Sequence, residues 1–130
     1  PYVVFPSTVN LWKSLTSRQC VQTPPTTGFE EKVYREFGVI YDRLEEARPL
    51  MKPGRFHELR YEELVKDPVG EMEKVYSALE LDGFETARPR VEQYLRQTDG
   101  YETNKYTITD EQRAEVTRRW GEVIRRYGYG

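Results

Sequence analysis

Apolar residues recur along this chain at helical spacing in several separate stretches, and in one stretch only do they alternate with polar ones. Val9, Leu11, Trp12 and Leu15 supply an apolar side for a first helix, with Ser7 and Thr8 where such a helix would begin. Gln19 to Gly28 has no periodicity and contains Pro24-Pro25-Thr26-Thr27-Gly28, which predicts a loop. A second helix follows from Phe29, with Val33, Phe37, Ile40 and Leu44 on its apolar side and charged residues around them, ending near Arg48-Pro49. Lys52-Pro53-Gly54 is a turn. The segment Arg55 to Tyr61 then alternates around Phe56, Leu59 and Tyr61 and predicts a strand.

Beyond it, Tyr61 to Pro68 reads as a short helical turn stopped before proline. Val69 to Leu81 presents Met72, Val75 and Leu79 on one helical face, with Asp82-Gly83 closing it. Phe84 to Thr98 predicts a further helix presenting Val91, Tyr94 and Leu95, its regular part starting near Pro89. Asp99 to Tyr106 is turn-rich and aromatic. The last helix has the clearest ends: Thr109 and Gln112 stand at capping-box spacing, Val116, Trp120, Val123 and Tyr127 form one stripe, and Gly128 follows as a C-terminal cap. One strand among so many helices predicts the distal part of an α/β layer structure whose other parallel strands precede residue 1.

Composition narrows the function classes. The chain has 130 residues, the size of one domain, with 37% hydrophobic residues and 32% charged ones whose signs nearly cancel to a net charge of −2. Neither a nucleic-acid partner nor an anionic membrane surface is implied by that balance, so any positive site must be local. The arginines of the last helix are interleaved with Glu115 and Glu122, as on a solvated face. A single cysteine, Cys20, excludes an internal disulfide and a thiolate metal cluster and fits a reducing compartment. No run of apolar residues approaches the roughly 20 that a membrane span requires.

Three short stretches carry candidate chemistry, each with a plain structural alternative. Ser7 reads as a helix N-cap or as a phosphate ligand, because the first NH groups of a helix lack partners and its dipole favours an anion. Tyr61 reads as a core tyrosine or as an aromatic platform at a strand end, the side on which open α/β sheets bind ligands. Thr103-Asn104-Lys105-Tyr106 reads as a solvated loop or as a set of anion donors. His57, the one histidine, is read as structural and not as a base, and Glu62 and Glu63 point in different directions on a helical turn.

Taken in order, these stretches resemble the sulfotransferase family that uses 3′-phosphoadenosine 5′-phosphosulfate (PAPS). Pro1 and Ser7 match the second half of an Arg-Asp/Asn-Pro motif with a serine six residues after the proline, whose basic and hydroxyl groups hold the 3′-phosphate. Tyr61-Glu62-Glu63-Leu64, with Asp67-Pro68 and then Leu79-Glu80-Leu81 in place of a Leu-Gly-Leu-like element, matches the strand-end tyrosine that family members place against adenine. Asn104-Lys105-Tyr106 is similar to the basic loop of related bacterial sulfotransferases. The resemblance implies an α/β fold, of which residues 1–130 form the C-terminal, mostly helical portion of a P-loop-like parallel-sheet sulfotransferase domain, with about one strand and five helices and with the N-terminal phosphosulfate-binding half lying upstream.

The implied function is transfer of a sulfuryl group from PAPS to an acceptor hydroxyl or amine, without a metal. This stretch contributes 3′-phosphate and adenine contacts through Ser7, Tyr61, Thr103, Asn104 and Lys105 and is expected to be inactive alone. The implied partners are a small-molecule or glycan acceptor and the missing half of the same domain, in the cytoplasm; no residue stands out as the catalytic base. Two other readings stand beside it: a non-catalytic helical interaction domain, and a P-loop kinase-like nucleotide-binding enzyme.

Overall fold

The computed structural model describes residues 1–23, 25–98, 100 and 104–130, which form two compact units, one of Pro1–Glu46 with Asn104–Gly130 and one of Ala47–Thr103. The first unit is built from α1 (Val4–Gln19), α2 (Phe29–Ala47) and α6 (Asp110–Tyr127). The second holds a 3-10 turn (Arg48–Leu50) and the helices α3 (Tyr61–Lys66), α4 (Pro68–Ala78) and α5 (Phe84–Gln97).

In the first unit the helices meet through Phe5 and Val9 of α1, Phe29, Val33 and Tyr34 of α2, and Val116, Trp120 and Ile124 of α6, all buried. Trp120 is its hub. The indole ring stacks 3.7 Å from Phe37, meets Phe5 and Tyr34 edge-on, and its Nε1 donates to the Tyr34 carbonyl at 3.1 Å, so a buried polar handle is satisfied in an otherwise apolar core. The helical stripes are slightly rotated from those read in the sequence. Phe5 joins Val9 and Trp12 on the inner side of α1 and leaves Leu11 exposed, while Tyr34 and Phe37 displace Ile40 to solvent on α2.

The terminal helix forms as its end signals predict. Thr109 Oγ1 accepts from the Gln112 amide at 3.2 Å, the Gln112 side chain accepts from the Thr109 amide at 3.1 Å, and Gly128 takes the left-handed conformation with φ of 71°. Tyr129, just beyond, folds back on the core, its amide donating to Ile124 O at 2.9 Å.

The first helix starts earlier than its sequence suggests. Val4 opens it, and Pro6 is accommodated because the first NH groups of a helix have no intrahelical partner in any case. Ser7 is therefore inside the helix, its amide donating to Val3 O at 3.3 Å, and it is not the N-cap.

In the second unit α4 begins at an aspartate cap. Asp67 accepts from the Gly70 amide at 3.0 Å, and a Cβ at residue 70 would lie 2.1 Å from its Oδ2, so glycine there is a condition of the cap. Phe84 at the start of α5 is buried against Tyr76 of α4 with Arg88 stacked over it, and Arg88 in turn pairs with Glu73 and Glu85.

The expectation of an α/β fold is overturned. Among the described residues there is no strand and no sheet, and the segment expected to be a strand, Arg55 to Tyr61, is irregular until Tyr61 begins α3. Alternating side chains favour an extended backbone, but a strand is defined by ladder hydrogen bonds, and among the described residues none pairs with residues 56–60 in a ladder. Arg48 holds the segment instead. Its guanidinium pairs with both carboxylate oxygens of Glu58 at 2.6 and 2.9 Å and lies 5.2 Å from the Phe56 ring, so residues 56 and 58 share a side, as in an extended chain.

The Leu79-Glu80-Leu81 element closes α4 in a Schellman arrangement, the Leu81 amide donating to Tyr76 O at 2.8 Å and the Glu80 amide to Ser77 O at 3.2 Å. Glu80 therefore sits at φ of 53°, in the left-handed region that favours glycine. Glu80→Gly is expected to stabilise the protein by about 0.5–1 kcal/mol, the relief of left-handed strain less the extra chain entropy of glycine, read as a higher urea midpoint at constant slope. A lower midpoint would show that the loss of the Glu80 side chain and the added chain freedom of glycine outweigh the strain.

Candidate functional site

Ser7 lies in the first turns of α1, half-buried, and among the described residues its hydroxyl has no hydrogen-bond partner. The turn that carries it is tied to α6. Tyr2 Oη is 2.9 Å from Thr117 Oγ1, and Thr117 Oγ1 is also 2.8 Å from the Arg113 carbonyl. Since a threonine has one proton to give and the carbonyl can only accept, Thr117 donates to Arg113 O and Tyr2 donates to Thr117. The Arg113 guanidinium stacks 4.2 Å from the centre of the Tyr2 ring.

Asn104 and Lys105 are exposed on the segment leading into α6, and among the described residues neither side chain has a hydrogen-bond or ionic partner. Three residues on, Ile108 packs on the same core cluster that Tyr2 and Phe5 join. The Ser7 segment and the Asn104-Lys105 segment thus share one core. Thr103, expected beside them, lies outside the described residues.

Tyr61 belongs to the second unit. It opens α3 instead of ending a strand, and the residue is 59% exposed, so it is not a core tyrosine in this unit. His57, half-buried, sits within residues 56–60 between the two residues that Arg48 engages.

The chemistry of Ser7, Asn104 and Lys105 suits a phosphate monoester: a hydroxyl, an amide and an ammonium donate to a dianion, and no carboxylate belongs to the set. The arginines of α6 divide sharply by contrast. Arg118 and Arg119 are both bound by Glu115, and hydrogen bonds from Arg118 and then Arg119 hold its carboxyl down at about 2; Arg119 also reaches Glu31, and Arg126 pairs with Glu45 and Glu122. Burial, followed by the field of Glu115, pushes the Tyr34 phenol above its ordinary value, so it stays neutral.

A groove of about 620 Å³ opens between α2 and α6, lined by Gly38, Tyr41, Asp42, Glu45, Trp120 and Arg126 among others. Its carboxylates and already neutralised arginines make it unsuited to a polyanionic nucleotide. Among the described residues no group of three or more His, Cys, Asp or Glu is arranged to hold a metal ion, and no helix is long and apolar enough to cross a membrane.

The residues that sequence reasoning passed over are Tyr2, Arg113 and Thr117. More than a hundred positions separate Tyr2 from the other two, and nothing in the local pattern of either segment marks the contact.

Comparison with known proteins supports the resemblance to sulfotransferases. The omega-hydroxy-beta-dihydromenaquinone-9 sulfotransferases Stf3 of Mycobacterium bovis and of Mycobacterium tuberculosis are each 46% identical to this chain over 129 residues, which is 99% of the chain and 33% of the relative. The chain therefore spans about a third of the length of the curated relatives it matches. No solved structure gives a significant match. The sulfotransferase family model matches residues 1–86, taking in α1 with Ser7, α2, Tyr61 and the whole of α4, and with it the chain is placed by its sequence: it belongs to the sulfotransferase family.

Proposed function

We propose that this chain forms part of a PAPS-dependent sulfotransferase and supplies its contacts to the 3′-phosphate and the adenine of the donor. The observation that carries this reading is 46% identity to a named sulfotransferase across 99% of the chain, including every candidate residue segment. Bound PAPS supplies the sulfuryl group. On this reading the Ser7 hydroxyl and the Lys105 ammonium hold the 3′-phosphate, Asn104 and Thr103 add donors, and the exposed ring of Tyr61 offers a face to the adenine. Donors without an ionic partner need not break an existing pair to receive a dianion, which favours them over groups already committed to carboxylates.

The acceptor is read as a hydroxyl on a small molecule. Support for it is the name of the relatives, omega-hydroxy-beta-dihydromenaquinone-9 sulfotransferase, in which the acceptor is a hydroxylated quinone derivative. No residue of this chain is assigned as the base, so residues 1–130 alone are expected to show no turnover.

The test is transfer of radiolabelled sulfate from PAPS to a hydroxylated quinone by the full-length protein, with ATP as the alternative donor. Sulfuryl transfer that is lost in Lys105→Ala, with no phosphoryl transfer from ATP, supports the reading. Phosphoryl transfer from ATP, or turnover by residues 1–130 alone, contradicts it.

A further inference from the structure

The contact between the start of α1 and α6 extends beyond the core to two exposed residues of α6. Tyr2 is half-buried and packs on the core cluster, whereas Arg113 and Thr117 are exposed and stand outside that cluster. Yet the three residues interlock: Tyr2 donates to Thr117, Thr117 donates to the Arg113 backbone, and the Arg113 side chain returns to cover the Tyr2 ring. Arg113 is set apart from Arg118, Arg119 and Arg126 in having no carboxylate partner among the described residues, so its ordering rests on the ring.

Tyr2 lies between Pro1 and Ser7, the two ends of the candidate phosphate motif. The first hydrogen bonds of α1, from the Phe5 amide to Pro1 O at 3.0 Å and from the Ser7 amide to Val3 O at 3.3 Å, flank it, and no side-chain cap holds this helix start. A helix terminus without a cap frays. The Tyr2 contact takes the place of the cap, and it does so from the helix whose approach carries Lys105.

Resting on the function proposed above, we infer that Tyr2, Arg113 and Thr117 are positioning residues for donor binding: they pin the uncapped start of α1 to α6 so that Ser7 and the Asn104-Lys105 segment present their donors in one fixed arrangement. None of the three needs to touch the ligand. Their effect is to remove an ordering cost from binding of the 3′-phosphate.

The experiment uses the full-length protein with Arg113→Ala, Arg113→Lys, Tyr2→Phe and Ser7→Ala. Hydrogen exchange of the Phe5 and Ser7 amides is measured without ligand, and Kd for adenosine 3′,5′-bisphosphate by calorimetry. Arg113→Ala is expected to speed exchange at both amides and to raise Kd by roughly three- to tenfold, with the melting temperature and the KM of the acceptor unchanged. Arg113→Lys, which keeps a cation over the ring, restores most of the protection, and Tyr2→Phe, which keeps the ring and loses the hydroxyl, falls between.

Unchanged exchange in Arg113→Ala, or faster exchange with unchanged Kd, overturns the inference, as does a Kd that changes only in step with the melting temperature. Ser7→Ala separates the two levels of the argument. If it weakens binding while Arg113→Ala does not, positioning is wrong and the site stands; if neither weakens binding, the site itself is wrong.

Discussion

Replacing Lys105 by alanine is expected to raise the Kd for adenosine 3′,5′-bisphosphate by roughly 10- to 100-fold, the usual cost of one charge-assisted hydrogen bond to a phosphate. The reasoning is subtractive. Arg118, Arg119 and Arg126 of α6 are engaged by carboxylates, Arg113 is stacked on Tyr2, and Arg18 and Arg125 stand in the last turns of α1 and α6, whereas Lys105, on the segment that leads into the start of α6, has no ionic partner among the described residues. A neutralised arginine must break an existing pair before it receives an anion, and a free lysine need not. Lys105→Arg is expected to recover part of the affinity through charge alone, because a planar guanidinium does not reproduce the compact ammonium geometry. Raising the salt concentration should weaken wild-type binding and leave the alanine variant less affected, which calorimetry at two ionic strengths would show.

The second large effect is on folding. Trp120→Ala is expected to destabilise the protein by about 3–5 kcal/mol, measured as the loss of unfolding free energy in urea. Trp120 is 2% exposed and touches an aromatic ring from α1 and two from α2, so its removal opens a cavity at the point where all three helices of the first unit meet. It also leaves the buried Tyr34 carbonyl without its Nε1 donor. Trp120→Phe separates these contributions: most ring contacts survive and the hydrogen bond does not, so the expected loss falls to about 1–3 kcal/mol. An alanine variant as stable as wild type would mean that the first unit is not held together by this cluster.

How much of this could be read from the residues alone depended on the range of the interactions involved. The ends of α6 were legible because Thr109, Gln112 and Gly128 act within a few residues of themselves, and all three do what their types predict. The start of α1 was not. Ser7 and Thr8 are good caps by type, but burying Phe5 against Tyr34 and Trp120 draws the helix back to Val4, and tertiary packing decides the boundary. The strand expectation failed for a related reason: alternation at Phe56, Leu59 and Tyr61 is a local pattern, whereas ladder pairing needs a second segment, and Arg48 engages Phe56 and Glu58 instead.

The candidate site shows the same division. Ser7, Asn104 and Lys105 are candidates by residue type and order, which chemistry makes readable in one dimension. That their segments share a core through Tyr2, Phe5 and Ile108 is a property of the folded unit. The role of Leu79-Glu80-Leu81 was half legible, since the resemblance supplies a glycine at its centre, and the geometry explains that preference by the left-handed backbone that Glu80 here must adopt.

The most direct measurement is a calorimetric comparison of adenosine 3′,5′-bisphosphate with adenosine 5′-monophosphate on the full-length protein and on its Ser7→Ala variant. Recognition of the 3′-phosphate by this chain predicts that the bisphosphate binds at least about tenfold more tightly to the wild type, and that the advantage shrinks in the variant. Equal affinity for the two nucleotides in the wild type would contradict it.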